Sequence, residues 1–327
     1  MTSKENVKRA IHFNNPEYIP LMYYKLDRIE NSDIAFISIV EMFGGHNGRT
    51  TEWGFEWVED SQVGYTIGQT KTPAIPDWSD LPRYKAFDVN RSGRFDNAKK
   101  FMAEYPDRYF IADFVLSGMH VLSFVRGFVN FMMDLYDEPE NIDKLSDIIF
   151  AKEEEMIREC ARQGFDAICL ADDWGSQRSL LISHDLFLRF FKPRYKHEIE
   201  LAHSLGLDVF LHSCGYIIDI IPDLIEIGLD VLNPGQPFLN GIEAMGKNWG
   251  GKICFGCPVS YQTTGVSGKP EEIEQEILDY VTFLSGNRGG FLGFVATDLE
   301  SLGATAEIQE NVLTTWHKYC GRSSQLR

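Results

Sequence analysis

Residues 208–237 read DVFLHSCGYIIDIIPDLIEIGLDVLNPGQP. An apolar run (208–215) gives way to an amphipathic stretch (217–227), a glycine at Gly228 and a second apolar run (230–237). That order reads as strand, helix, strand, with parallel strands buried on both faces and a helix carrying the chain back. Working outward, the alternation recurs. The runs YFIADFVLS (109–117), AICLADDWG (167–175), KICFGCPVS (252–260) and GFLGFVATD (290–298) are separated by helical stretches over 119–136, 139–163, 183–205, 270–285 and 304–319. Pro139 sits near a helix start, while Gly164 and Gly206 follow helix ends. Residues 18–25 make an earlier strand. Seven strands with intervening helices predict a (β/α)8 TIM barrel with one strand hidden in the N-terminal third. No glycine-rich phosphate loop follows any strand, so a doubly wound nucleotide-binding sheet is set aside. Residues 44–95 hold Trp53, Phe55, Trp57, Tyr65 and Trp78 among glycines and prolines. They read as a hairpin and long loop folded over the barrel mouth. With no internal repeat or low-complexity tract, residues 1–327 read as a single domain.

The 31 basic and 48 acidic residues give a formal net charge of −17. No basic stripe is left to track phosphates, which argues against nucleic acid as a partner. The start, MTSKENVKRAIHF, reads as a short amphipathic helix behind a Thr2/Ser3 cap rather than a signal peptide. No apolar run approaches the roughly 18 residues needed to cross a bilayer. The six cysteines show no secreted-framework spacing. The expectation is a cytoplasmic protein without membrane contacts.

In a barrel, ligands bind where strands end. Asp172, Asp173 and Gln177 follow one strand; His212 and Cys214 end the next; Asn233 and Gln236, Cys257, and Asp298 follow later ones. His212 and Cys214, two apart on a strand, share a face. An imidazole beside a thiolate is a soft chelate suited to zinc, with a third protein ligand from another strand and one position open. Cys257, at the carboxyl end of its run, is the expected third ligand; Cys254 lies deeper, on the opposite face. Asp173 or the amide oxygen of Gln236 are the alternatives. The plain counter-reading is that His-x-Cys arises by chance and that cysteine is often simply buried.

The stretches 211–237, LADDWGSQRSLLISHDLFLRFFKPRYKHEI (170–199), GKPEEIEQEILDYVTFL (268–284) and the opening VKRAIHFNNPEYIP resemble the uroporphyrinogen-decarboxylase-like superfamily. The resemblance covers most of the chain, is weakest between about residues 26 and 95, and implies a (β/α)8 barrel, for which a homodimer is plausible. Its decarboxylase branch holds a polycarboxylate with arginines near the first strand, where IPLMYYKLDRIE offers only Arg28. The zinc methyltransferases that work with corrinoid proteins carry His-x-Cys plus a distant cysteine, and His212 and Cys214 match that motif. The distant cysteine departs from it: GFVATD has Ala296, Thr297 and Asp298 where the thiol-methylating branch has cysteine. DDWGSQ is similar instead to the demethylating methyltransferases.

The resemblance therefore implies a zinc methyltransferase moving a methyl group from a methoxylated small molecule to the cob(I)alamin of a separate corrinoid protein. No B12-binding D-x-H-x-x-G motif occurs in the chain itself. Asp172 or Asp173 would position the substrate or protonate the leaving oxygen. Successive residues alternate in direction, so at most one of them faces the lumen and the other caps a loop. Gln177, Asn233 and Gln236 are candidate substrate contacts. Tyr23, Tyr24, Trp53, Trp57 and Trp174 could line an aromatic pocket. His46, His120, His184 and His203 receive no role. The rival readings are a metal-free decarboxylase or lyase, a methylcorrinoid:thiol methyltransferase, and a non-catalytic binding barrel.

Overall fold

The computed structural model describes residues 1–23, 26–41, 50–57, 70–286, 288–296 and 303–321. Eight strands close into a parallel barrel in chain order: β1 (Leu21–Tyr23), β2 (Ile34–Ser38), β3 (Tyr109–Asp113), β4 (Ala167–Ala171), β5 (Asp208–Ser213), β6 (Val231–Pro234), β7 (Cys254–Pro258) and β8 (Phe291–Val295). Closure is made by β1 on β8, with Leu21 opposite Gly293 and Tyr23 opposite Val295. The strand hidden from the sequence is β2, IAFIS.

Strict alternation sorts the strand side chains into two cores. Met22, Phe36, Ile111, Cys169, Phe210, Val231, Cys254 and Phe294 belong to the inner cluster, and their neighbours belong to the helix-facing one. Helix α1 (Ser3–Ile11) closes the amino-terminal end, its Val7, Ala10 and Ile11 joining the inner cluster. Fully burying a valine or isoleucine side chain contributes roughly 1.5–3 kcal/mol, enough for these residues to hold a short helix in place as a floor. The Thr2 hydroxyl caps it by accepting from the Glu5 N–H at 3.1 Å.

Two predicted helices are interrupted. The stretch 119–136 divides into α2 (Gly118–Arg126) and α3 (Phe128–Asp137), because Gly127 at φ +87° breaks the helical path. The stretch 183–205 contains a π turn at Phe187–Phe191 before α5 (Lys192–Ser204), where Pro193 lacks the N–H a regular turn would use. Between them, α4 (Pro139–Gln163) has the predicted bounds.

The hairpin of the N-terminal third pairs Glu56–Trp57 with Thr70–Thr72, antiparallel. Its flanks anchor on α2. Phe55 packs on Phe124, and the Arg126 guanidinium donates to the carbonyls of Ile75 and Pro76 while lying 4.5 Å from the Trp78 ring centre. Tyr65 lies outside the described residues.

Candidate metal centre

β4, β5 and β6 run side by side, with Ala171 opposite His212 and His212 opposite Asn233. The inward phase of β5, set by Phe210, carries His212 and then Cys214 into the lumen; that of β4, set by Cys169, carries Asp173. All three rise just above the apolar filling, at the carboxyl end of the barrel. Cys214 Sγ lies 3.5 Å from His212 Nε2, and His212 Nε2 lies 3.7 Å from Asp173 Oδ1. The three ligand atoms fall within 4.8 Å of one another, and each residue is partly exposed.

Zinc bonds of 2.3 Å to sulfur and 2.0–2.1 Å to nitrogen, at a tetrahedral angle, imply a nitrogen–sulfur separation of about 3.6 Å. The residues present fit that ion. Gly235 keeps the cradle open, because a Cβ there would stand 2.6 Å from Cys214 Sγ and 3.1 Å from His212 Cε1.

The surrounding contacts orient each group. Asn233 Oδ1 lies 2.7 Å from His212 Nδ1, while its amide nitrogen donates to the Gly256 carbonyl. With its nitrogen so engaged, Asn233 accepts the Nδ1 proton and leaves the Nε2 lone pair of His212 for the centre. Asp173 Oδ1 accepts the Cys214 N–H at 2.7 Å, and the Asp173 N–H donates to His120 Nδ1 at 3.2 Å. His120 therefore carries its proton on Nε2, and burial keeps its imidazole below its ordinary basicity. Gln236 Oε1 accepts from Gly215 N at 2.8 Å and from Gln177 Nε2 at 3.4 Å.

Burial, with the Asp173 carboxylate beside it, pushes the Cys214 thiol well above its usual range. Among the described residues, no lysine or arginine pairs with Asp173, His212 or Cys214 to offset this.

The structure brings together His212, Cys214, Asp173, Asn233, Gln236 and Gln177. It separates five other candidates from them. Cys257 is fully buried on the helix-facing side of β7, in the outer cluster, whereas the cradle opens inward, so Asp173 replaces it as the third candidate ligand. Asp172 is fully buried and points away from the lumen. It accepts from Tyr195 Oη and from the backbone N–H groups of Met119 and His120 at 2.7 and 2.8 Å, capping the first turn of α2 instead of facing substrate. Burial pushes its carboxyl up against the pull of those donors.

Trp174 is core, edge-on to Phe187 and Phe191. Tyr23 faces the helices and meets His317 Nε2 at 2.5 Å. Trp53 is buried against Phe87. Tyr24, His46, Asp298 and the side chains of Arg28 and Trp57 lie outside the described residues.

Two residues beside the site were missed in the sequence: His120 was given no role, and Tyr261 was not singled out. His120 follows the carboxyl end of β3, where barrel loops carry function, and that position was the available signal. Tyr261, which burial makes a weaker acid than an ordinary phenol, also feels the sulfurs of Cys214 and Cys257.

A solved methyltransferase from Methanosarcina mazei superposes with a TM-score of 0.65 at 16% identity, covering 96% of this chain and 99% of its own. A chitinase from Chromobacterium violaceum follows at a TM-score of 0.46 and 9% identity, covering 91% and 98%. A dihydropteroate synthase from Xanthomonas albilineans reaches only 0.38 at 10% identity, over 54% and 63%. At 16% identity the likeness to the methyltransferase speaks to the barrel fold alone. No curated protein matches the chain. The sequence profile of uroporphyrinogen decarboxylase (URO-D), however, matches residues 63–289, more than half of the sequence, and the chain belongs to that family.

Proposed function

We propose that the protein is a zinc-dependent methyltransferase that moves a methyl group from a methoxylated small molecule to the cob(I)alamin of a separate corrinoid protein. The observation that carries this reading is the Asp173–His212–Cys214 cradle, with its sulfur–nitrogen spacing. A zinc ion held there supplies Lewis acidity toward the oxygen of the methyl donor.

The reaction breaks a methyl carbon–oxygen bond, leaves the electron pair on the departing oxygen and forms a carbon–cobalt bond to the acceptor. A methoxy group reacts poorly because its leaving oxygen is basic, so stabilising charge on that oxygen is what the site has to do. His212, Cys214 and Asp173 hold the ion, and Asn233 fixes the tautomer of His212. His120 offers an Nε2–H donor beside Asp173, and Gln236 with Gln177 offers amides at the rim. Decarboxylation, the activity in the family's name, calls for cationic groups around a carboxylate, and the hydrogen bonds and ion pairs at this cradle include none among the described residues.

The test is elemental analysis of the purified chain, followed by a methyl-transfer assay with cob(I)alamin and a panel of methoxylated aromatics. The loss of one equivalent of zinc, together with transfer, in His212→Ala and Cys214→Ala is the expected result. Transfer that persists in metal-free protein sinks the proposal.

A further inference from the structure

At the opposite end of the barrel, a second cluster of ligand-type side chains gathers under the floor helix. His12, just past α1, places Nε2 2.9 Å from Asp208 Oδ1 at the start of β5. His203, near the end of α5, places Nε2 2.8 Å from Asp230 Oδ2, just before β6. The ligand atoms of His12, Asp208 and Asp230 lie within 4.8 Å of one another.

We propose that His12, Asp208 and Asp230 form a second metal site, for a divalent transition cation of the zinc class, with His203 as the flanking fourth group. Two isolated histidine–aspartate pairs would satisfy themselves. Here they meet, so two carboxylates from adjacent strands stand side by side, and each histidine feels the other's aspartate as well as its own. The paired aspartates raise both histidines above their ordinary basicity, so a cation that enters displaces the imidazole protons and meets two carboxylates and two ring nitrogens, the donor set that borderline cations take.

The carboxylates are also held from behind. Tyr109 Oη donates to Asp208 Oδ2 at 2.5 Å, and the Val209 N–H donates to Asp230 Oδ2 at 2.8 Å. Such outer contacts orient metal-binding carboxylates. The nearby cations Lys4 and Lys8 are engaged by Asp166, at 2.9 and 3.4 Å, and do not fill the cage. Both histidines are about half exposed, which gives an ion a way in. An ion bound there ties α1 to β5 and β6.

The site shares no residue with the cradle at the carboxyl end, so the two can be tested apart. Zinc is titrated calorimetrically into metal-stripped Cys214→Ala protein, and into the same background carrying His12→Ala or His203→Ala. The expected result is one zinc per Cys214→Ala chain, with affinity falling at least about tenfold in both double variants. A melting temperature that rises with zinc only while His12 is present is expected as well. Cobalt(II) in the wild-type chain gives a second readout: two ions, of which one lacks a thiolate charge-transfer band. A single cobalt carrying that band, or zinc binding to Cys214→Ala protein that His12→Ala leaves unchanged, overturns the proposal.

Discussion

Asn233 accepts from His212 Nδ1 at 2.7 Å while donating its own amide to the Gly256 carbonyl, so a residue of β6 decides which nitrogen of a β5 histidine faces the candidate centre. Replacing Asn233 with alanine frees the ring to rotate and to carry its proton on either nitrogen. Zinc affinity, measured by competition with a chromogenic chelator, is expected to fall about 10–100-fold. Far-UV circular dichroism should be unchanged, which separates loss of orientation from loss of fold.

The third ligand can be decided by two substitutions side by side. Asp173→Ala removes a cradle group and is expected to leave the purified protein with little zinc at that site. Cys257→Ala should keep the cradle's zinc and lower stability by about 1 kcal/mol, as expected for a small void in the outer core. The reverse pattern in elemental analysis would return Cys257 to the coordination sphere.

Gly235→Ala adds one methyl group where there is no room for it. The Cβ would stand 2.6 Å from Cys214 Sγ, well inside van der Waals contact. Metal occupancy of the cradle and methyl transfer should both collapse while the melting temperature of the metal-free protein shifts by only a few degrees. An alanine variant that keeps its metal means that the sulfur has another rotamer available.

Asp172→Ala removes the acceptor of two α2 N–H groups and of the Tyr195 hydroxyl, two of the three bonds being fully buried. Leaving these donors unpaired is expected to cost roughly 2–4 kcal/mol in urea denaturation. Asp172→Asn, which keeps an acceptor oxygen, should cost less.

Glu153 on α4 and Glu198 on α5 face each other in full burial. Glu153 accepts the Gly118 N–H at 3.0 Å, but its other oxygen and both oxygens of Glu198 have no donor unless the pair shares a proton. Burial accordingly raises Glu153 to about 7 and Glu198 well above the ordinary carboxyl value. The folded chain then holds protons that the unfolded chain has released above about pH 4.5. Stability therefore falls as pH rises from that value through about 7. Glu153→Gln supplies the bridging donor without titrating. Its stability should exceed that of the wild type at pH 8 by on the order of 1–3 kcal/mol, with a flatter profile from pH 5 to 8. Parallel profiles for the two proteins would rule out the shared proton.

The barrel was legible because strands buried on both faces write long apolar runs, and His212 and Cys214 stood out as a soft pair at the end of one of them. Alternation also said that Asp172 and Asp173 must part company, but it supplies relative phase only. Which of the two faced inward, and that Cys257 faced outward with Tyr23, depended on how each strand is rotated about its axis in the closed barrel. The strand IAFIS was hidden because its apolar run continues into Ile39 and Val40 without a helical stretch to delimit it. His120 reaches the centre only because α2 folds back so that its first turn lies over the end of β4, a long-range fact with no local mark.

The peptide unit linking Asp172 to Asp173 has the helical shell on one side and the candidate centre on the other. A rotation of α2 or a shift of Tyr195 on α5 moves the anchored Asp172, and the carboxylate one residue on must tilt with it. Substitutions far from the cradle thus have a short mechanical lever on its geometry. A family working on such a scaffold can retune the reactivity of its centre by repacking the outer helices while every residue that touches the centre stays the same.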